Sequence, residues 1–119
     1  MLKKAVLILG VVFILVGLLG FFMSPILGIF GTNSLHNIVH LASGLVLVFA
    51  ASRGEDAAQM GAKVFGVVYA LVTILGFVAM PTLTKLIGLN TADNFLHVLL
   101  TVVLLYLGFG ASKVVSSNM

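Results

Sequence analysis

The chain is 119 residues long, 61% hydrophobic and only 8% charged, with 6 basic and 3 acidic residues. A soluble domain carries about 25% charged residues, so this composition, with a mean hydropathy of +1.30, specifies an integral membrane protein of one domain, 1–119. The net charge of +3 comes without any basic stripe and excludes a nucleic-acid partner; the lack of cysteine excludes disulfides, thiolate nucleophiles and Cys–metal sites.

A helix needs about 20 apolar residues to cross the hydrocarbon core, and four stretches qualify. The first runs from Leu2 to Phe22, with no charge after Lys4. Lys3-Lys4 before an apolar run also fits a signal peptide, but no small-x-small cleavage site follows near Phe21-Phe22-Met23, so a retained helix is expected. Pro25 ends it. The apolar segment Ile26 to Phe30 is too short to span and is expected at the interface. The second span runs from Ser34 to Ser52, behind Thr32-Asn33-Ser34, which supply side-chain acceptors for a helix start. Arg53-Gly54-Glu55-Asp56 reads as a solvated turn. The third span runs from Ala57 to Met80, with Lys63 near its start, and Pro81 breaks it. Asn90-Thr91 opens the fourth, Thr91 to Ser112. The runs lack the alternation of a membrane β-barrel. Lys3, Lys4, Arg53, Lys63 and Lys113 fall on one side and Lys85 alone on the other, which predicts that both termini are cytoplasmic and both Pro-containing loops face outward.

The two halves repeat. At an offset of 56 residues, Gly10 meets Gly66, Gly20 meets Gly76, Phe21 meets Phe77 and Pro25 meets Pro81. After one insertion the offset is 57, and Gly31 meets Gly88, Asn33 meets Asn90, Asn37 meets Asn94 and His40 meets His97. This predicts a duplicated hairpin, with repeats over about 1–56 and 57–119. Two parallel halves would be related by a pseudo-two-fold axis along the membrane normal. The expected fold is therefore an all-α integral membrane four-helix bundle. Gly10, Gly17 and Gly20 on span one, and Gly66, Thr73 and Gly76 on span three, are expected to serve close helix packing.

Spans two and four carry the polar chemistry. Residues three or four apart share a helix face, so His36 neighbours His40, and Asp93 neighbours His97. Asn37 and Asn94 precede the two matched histidines. Gly44 and Thr101 lie one turn deeper. His40 and His97 sit roughly 9 Å inside their helix starts, at 1.5 Å per residue. Polar groups at such depths are costly unless paired and mark functional candidates.

Four readings of this cluster stand open. One is an interhelical hydrogen-bond network in which His36 or His97 pairs with Asp93. A second is a divalent metal site using His36, His40, Asp93 and His97, a donor set that suits a tetrahedral zinc-type ion. A third is a bis-histidine b-type haem on His40 and His97, with Gly44 giving room for the porphyrin. The fourth is a proton path, for which the deeper halves of the spans offer only Ser43, Thr73 and Thr101. No phosphate loop, ordered triad or paired carboxylates point to an enzyme. Tyr69 and Tyr106 read as packing or interface aromatics.

The stretches from Gly31 to His40 and from Asn90 to His97 resemble the bacterial membrane family catalogued as domain of unknown function 4383. That family is similar in size, in its four spans, and in an Asn-x-x-His element after each outward loop. The resemblance implies a multi-pass protein of the bacterial inner membrane with no assigned activity. By position it points to Asn37, His40, Asn94 and His97, with His36 and Asp93 beside them. The expected role is a non-enzymatic structural or accessory module, working in the lipid bilayer as a homo-oligomer or within a larger membrane complex. The alternative is a metal- or haem-binding membrane protein.

Overall fold

Continuous apolar runs in lipid must satisfy their backbone groups internally, and the helix is the local way to do so. The computed structural model of the protein describes residues 2–26 and 28–110. It contains α1 (Leu2–Phe22), α2 (Ser34–Ser52), α3 (Glu55–Val78), α4 (Met80–Ile87) and α5 (Thr91–Leu105), with a π-helical turn at Tyr106–Gly110 continuing the last helix. Four of these segments are long and apolar enough to cross a membrane. Between 22% and 39% of each one's apolar window is buried inside the protein, so lipid is left to cover the rest. The molecule is an all-helical, multi-pass membrane bundle.

α1 and α2 have the bounds the sequence predicts. α3 begins earlier, at Glu55, because Glu55 and Asp56 suit the positive end of a helix dipole. The predicted end of the fourth span at Ser112, the basic residue Lys113 and one residue of the Ile26–Phe30 segment lie outside the described residues. Within that segment, Ile26 and Phe30 close a tight turn by paired backbone bonds of 2.7 and 3.0 Å.

One expectation is corrected. Pro81 does not open a loop. It sits in the first turn of α4, where a missing N–H leaves no bond unmade. Gly88 ends α4 in the left-handed region at φ 70°, and a Cβ there would also stand 2.8 Å from the Thr32 carbonyl. Only glycine meets both conditions.

α1 pairs most closely with α2, and α3 with α5. Glycine sets the first pairing. A Cβ on Gly17 would stand 2.8 Å from the Leu41 nitrogen, and one on Gly44 2.6 Å from the Gly10 carbonyl. The positions matched to Gly17 and Gly44 in the second pair are Thr73 and Thr101, whose hydroxyls bond at 3.0 Å. One hairpin is thus joined by close backbones and the other by a hydroxyl bridge. The core between the hairpins includes Phe13, Leu47, Tyr69 and Leu104, with Ala51, Ala58 and Ala62 at the end that carries Lys3 and Glu55.

The asparagine caps join the hairpins at the opposite end. The Asn33 side-chain oxygen accepts from His36 N at 2.9 Å, and that of Asn90 accepts from Asp93 N at 2.9 Å. Each amide nitrogen then reaches across to the other half. Asn33 Nδ2 donates to the Leu86 carbonyl at 3.0 Å, and Asn90 Nδ2 to the Ile29 carbonyl at 2.9 Å. One residue type therefore starts the helix and ties the two halves together at this end.

Overpacking a tight contact costs about 1–3 kcal/mol. Gly17→Leu and Gly44→Leu should each lose stability in that range in reversible detergent unfolding, while Leu99→Val, at a side chain 60% exposed, should change little.

Candidate functional site

The caps set the phase of α2 and α5 and so decide which side chains face inward. Counting from Asn33, His36 and His40 fall on consecutive turns of one face. Counting from Asn90, His97 falls on the facing stripe of α5. All three imidazoles are buried, at 5%, 5% and 1% exposure. His36 Nε2 and His40 Nε2 stand 3.0 Å apart. The ring centroids are 4.8 Å apart for His36–His40, 5.8 Å for His36–His97 and 5.9 Å for His40–His97. One ring nitrogen from each histidine can be chosen so that all three lie within 4.8 Å of one another.

An aromatic wall surrounds the group. Phe13 of α1 lies 5.4 Å from His40, and Tyr69 of α3 lies 5.8 Å, edge-on, from His97. The two wall rings meet at 5.2 Å. Tyr69 is held by a 3.0 Å bond between its hydroxyl and Ser43, whose own hydroxyl donates to the Val39 carbonyl at 2.7 Å. Tyr69 therefore donates to Ser43. It is a packing aromatic, as its sequence context suggests, and it also fixes one side of the cluster. Tyr106 is exposed.

The remaining predicted site residues face elsewhere. Asp93 is buried, but its carboxylate accepts from the Asn90 backbone at 2.9 Å, completing a capping box, and from the Gly31 backbone. It does not join the three imidazoles, and neither expected His–Asp pair forms. Both His97 ring nitrogens and His40 Nδ1 lack a partner, while His36 has the Ile87 backbone beside it and its Nε2 faces His40. Asn37 accepts from the Thr32 hydroxyl and lies against Gly20. Asn94 donates to the Gly76 carbonyl at 3.0 Å. The Asn94 amide nitrogen is thus spent on α3, and the Asn37 oxygen on the connection before α2. The space beside Gly44 is filled by Gly10 and Ile14 of α1, so it gives no room for a porphyrin.

Sequence reasoning missed two parts of the site. Phe13 and Tyr69 stand at the repeat offset of 56, but an aromatic pair in an apolar chain carries little weight beside matched glycines and histidines. The α4 residues Leu83, Leu86 and Ile87, which border the site at the α4 end, carry no signal when Pro81 is read as a loop.

Four apolar spans and a buried histidine cluster at one end define a small multi-pass membrane protein with an internal polar site. The chain matches, over residues 3–110, the family described as a domain of unknown function, DUF4383. It belongs to that family. No curated protein and no solved structure matches it.

Interhelical hydrogen bonds in membranes are worth about 0.6 kcal/mol on average by double-mutant cycles. A Ser43→Ala/Tyr69→Phe cycle should return a coupling of that order in detergent unfolding. A coupling of zero would show that the bond does not hold the wall.

Proposed function

We propose that the protein is a non-enzymatic accessory module that holds one divalent transition-metal ion through His36, His40 and His97. The observation that carries this reading is the convergence of three buried imidazoles, with His40 Nδ1 and both nitrogens of His97 left unpartnered. Leaving a buried polar atom unpaired costs about 1–3 kcal/mol; an ion would offset that cost at His97 and take the place of the direct His36 Nε2–His40 Nε2 contact. Imidazole suits zinc, copper and nickel, and three histidines leave a fourth position open. Ligand nitrogens around a tetrahedral ion stand about 3.3 Å apart, given Zn–N near 2.05 Å. The 3.0 Å His36–His40 pair is already near that spacing.

An ion suits the cluster better than a haem. A bis-histidine haem needs its two imidazoles end-on across a macrocycle, whereas His40 and His97 stack at 24° with Phe13 and Tyr69 against them. The competing reading is a purely structural cluster, favoured by the direct His36–His40 contact.

The same proposal places the module in a bacterial plasma membrane, with the Lys3, Arg53 and Lys63 end cytoplasmic by the positive-inside rule. A duplicated hairpin is supported by the reciprocal Asn33–Leu86 and Asn90–Ile29 bonds, since the donors and the acceptors are each 57 residues apart. A two-fold relation between the halves generates such a swap directly.

Purified, chelator-treated protein titrated with Co2+ should take up one equivalent and show tetrahedral ligand-field absorption. His36→Ala, His40→Ala and His97→Ala should each weaken binding by tenfold or more, on the order of the effect of disturbing a metal site, and Asp93→Asn should not. Folded wild-type protein that binds no stoichiometric Co2+ would leave the structural cluster as the correct reading.

A further inference from the structure

A groove of about 230 Å³ lies between α1 and α2 at the end of the bundle that carries Lys3 and Glu55. Lys3, Lys4 and Leu7 line it from α1, and Val48, Ala51 and Ser52 from α2. Its place follows from the packing. A Cβ on Gly10 would stand 2.8 Å from the Val48 side chain, so the two helices touch there. Leu7 and Lys3 continue the Gly10 stripe of α1 toward its start, and the small Ala51 and Ser52 stand across from them, which leaves the seam open. The groove has two levels. Leu7 and Val48 make the deeper one aliphatic. Lys3 and Lys4 lie in the first turn of α1 and Ser52 is the last residue of α2, all three exposed. A helix of about 20 residues only just crosses the hydrocarbon, so this upper level stands at the headgroups. Lysine stems lie along apolar surface while their ammonium groups reach the polar layer.

We infer that this groove seats an anionic phospholipid, with its phosphate at Lys3 and Lys4 and the start of one acyl chain along Leu7 and Val48. Charge complementarity selects the occupant. Among the described residues, the lining includes two ammonium groups and no carboxylate. Glu55 accepts from the Lys3 backbone nitrogen at 3.1 Å and does not line the groove. Arg53 and Lys63, at the same end, lie over the rings of Phe49 and Phe109, at 5.9 and 5.5 Å. The adjacent lysine pair is therefore the cationic feature that opens onto an apolar cleft, and basic pockets between membrane helices suit anionic headgroups. A zwitterionic lipid brings its own cation beside the two lysines. A free phosphate leaves Leu7 and Val48 uncovered. The inference goes beyond the ion-binding proposal, uses none of its residues, and holds whichever side of the membrane this end faces.

The chain contains no tryptophan, so a single introduced ring reports alone. Leu45→Trp puts it at an exposed position one turn deeper on the α2 stripe of Val48 and Ser52, outside the groove but on the path of the seated chain. Leu71→Trp, exposed in the middle of α3, is the reference. The full chain is placed in nanodiscs of phosphatidylcholine and phosphatidylglycerol, with brominated acyl chains on one lipid or the other, and quenching gives the relative affinity of the two lipids at each ring. A lysine beside an anionic lipid is worth about fivefold. At Leu45→Trp, phosphatidylglycerol should therefore be preferred by about tenfold or more, and at Leu71→Trp the two lipids should quench alike. Lys3→Gln/Lys4→Gln, at two exposed side chains, should keep the helical fold by circular dichroism and remove the preference. Excess glycerol 3-phosphate or inorganic phosphate should leave it in place. Four results would overturn the proposal: equal quenching by both lipids at Leu45→Trp, the same preference at Leu71→Trp, a preference that survives loss of both lysines, or displacement of the lipid by a free phosphate, which would make the groove a site for a soluble anion.

Discussion

Two asparagines hold this molecule in register. Asn33 and Asn90 each give their oxygen to a helix N-terminus and their amide to the opposite connection. A cap alone is worth about 1 kcal/mol, but its structural effect here is larger. It fixes where α2 and α5 begin, hence which residues face inward, and the crossed bonds bring those two beginnings together. Slipping either helix by one residue would rotate its inner face by about 100° and turn a histidine toward lipid.

Close packing then allows polarity to sit at depth. Gly10, Gly17 and Gly44 let α1 and α2 approach backbone to backbone. Asn37 and Asn94 spend their amides beside Gly20 and Gly76. Asp93 and the Asn94 amide nitrogen are engaged, and among the polar atoms left over are Asn94 Oδ1 and nitrogens of the imidazoles, which Phe13 and Tyr69 wall in.

Much of the fold was legible because lipid imposes simple rules. Apolar run length located four helices, and Asn33 and Asn90 marked two of their starts. The α4 helix was hidden because a proline after a long helix reads as a stop, although its position in a first turn is equally compatible with a start. Within the site, His36, His40 and His97 were legible from spacing and from the repeat. Asp93 stands apart from the imidazoles: its spacing before His97 puts it on the same face, but an acid three residues after Asn90 also completes a capping box, and the cap prevails because it satisfies backbone donors at the helix end. The crossed bonds could not be read at all, since their acceptors are backbone carbonyls of Ile29 and Leu86, whose side chains carry no information about them.

The central claim is that the caps bring the imidazoles of α2 and α5 together inside the bundle. The chain has only 3 histidines, so nuclear magnetic resonance of histidine-labelled protein in lipid nanodiscs reads it directly. Through-space contacts between the His40 and His97 rings, and from His97 to Tyr69, are predicted. A His97 ring that contacts lipid acyl protons and not His40 would contradict the account.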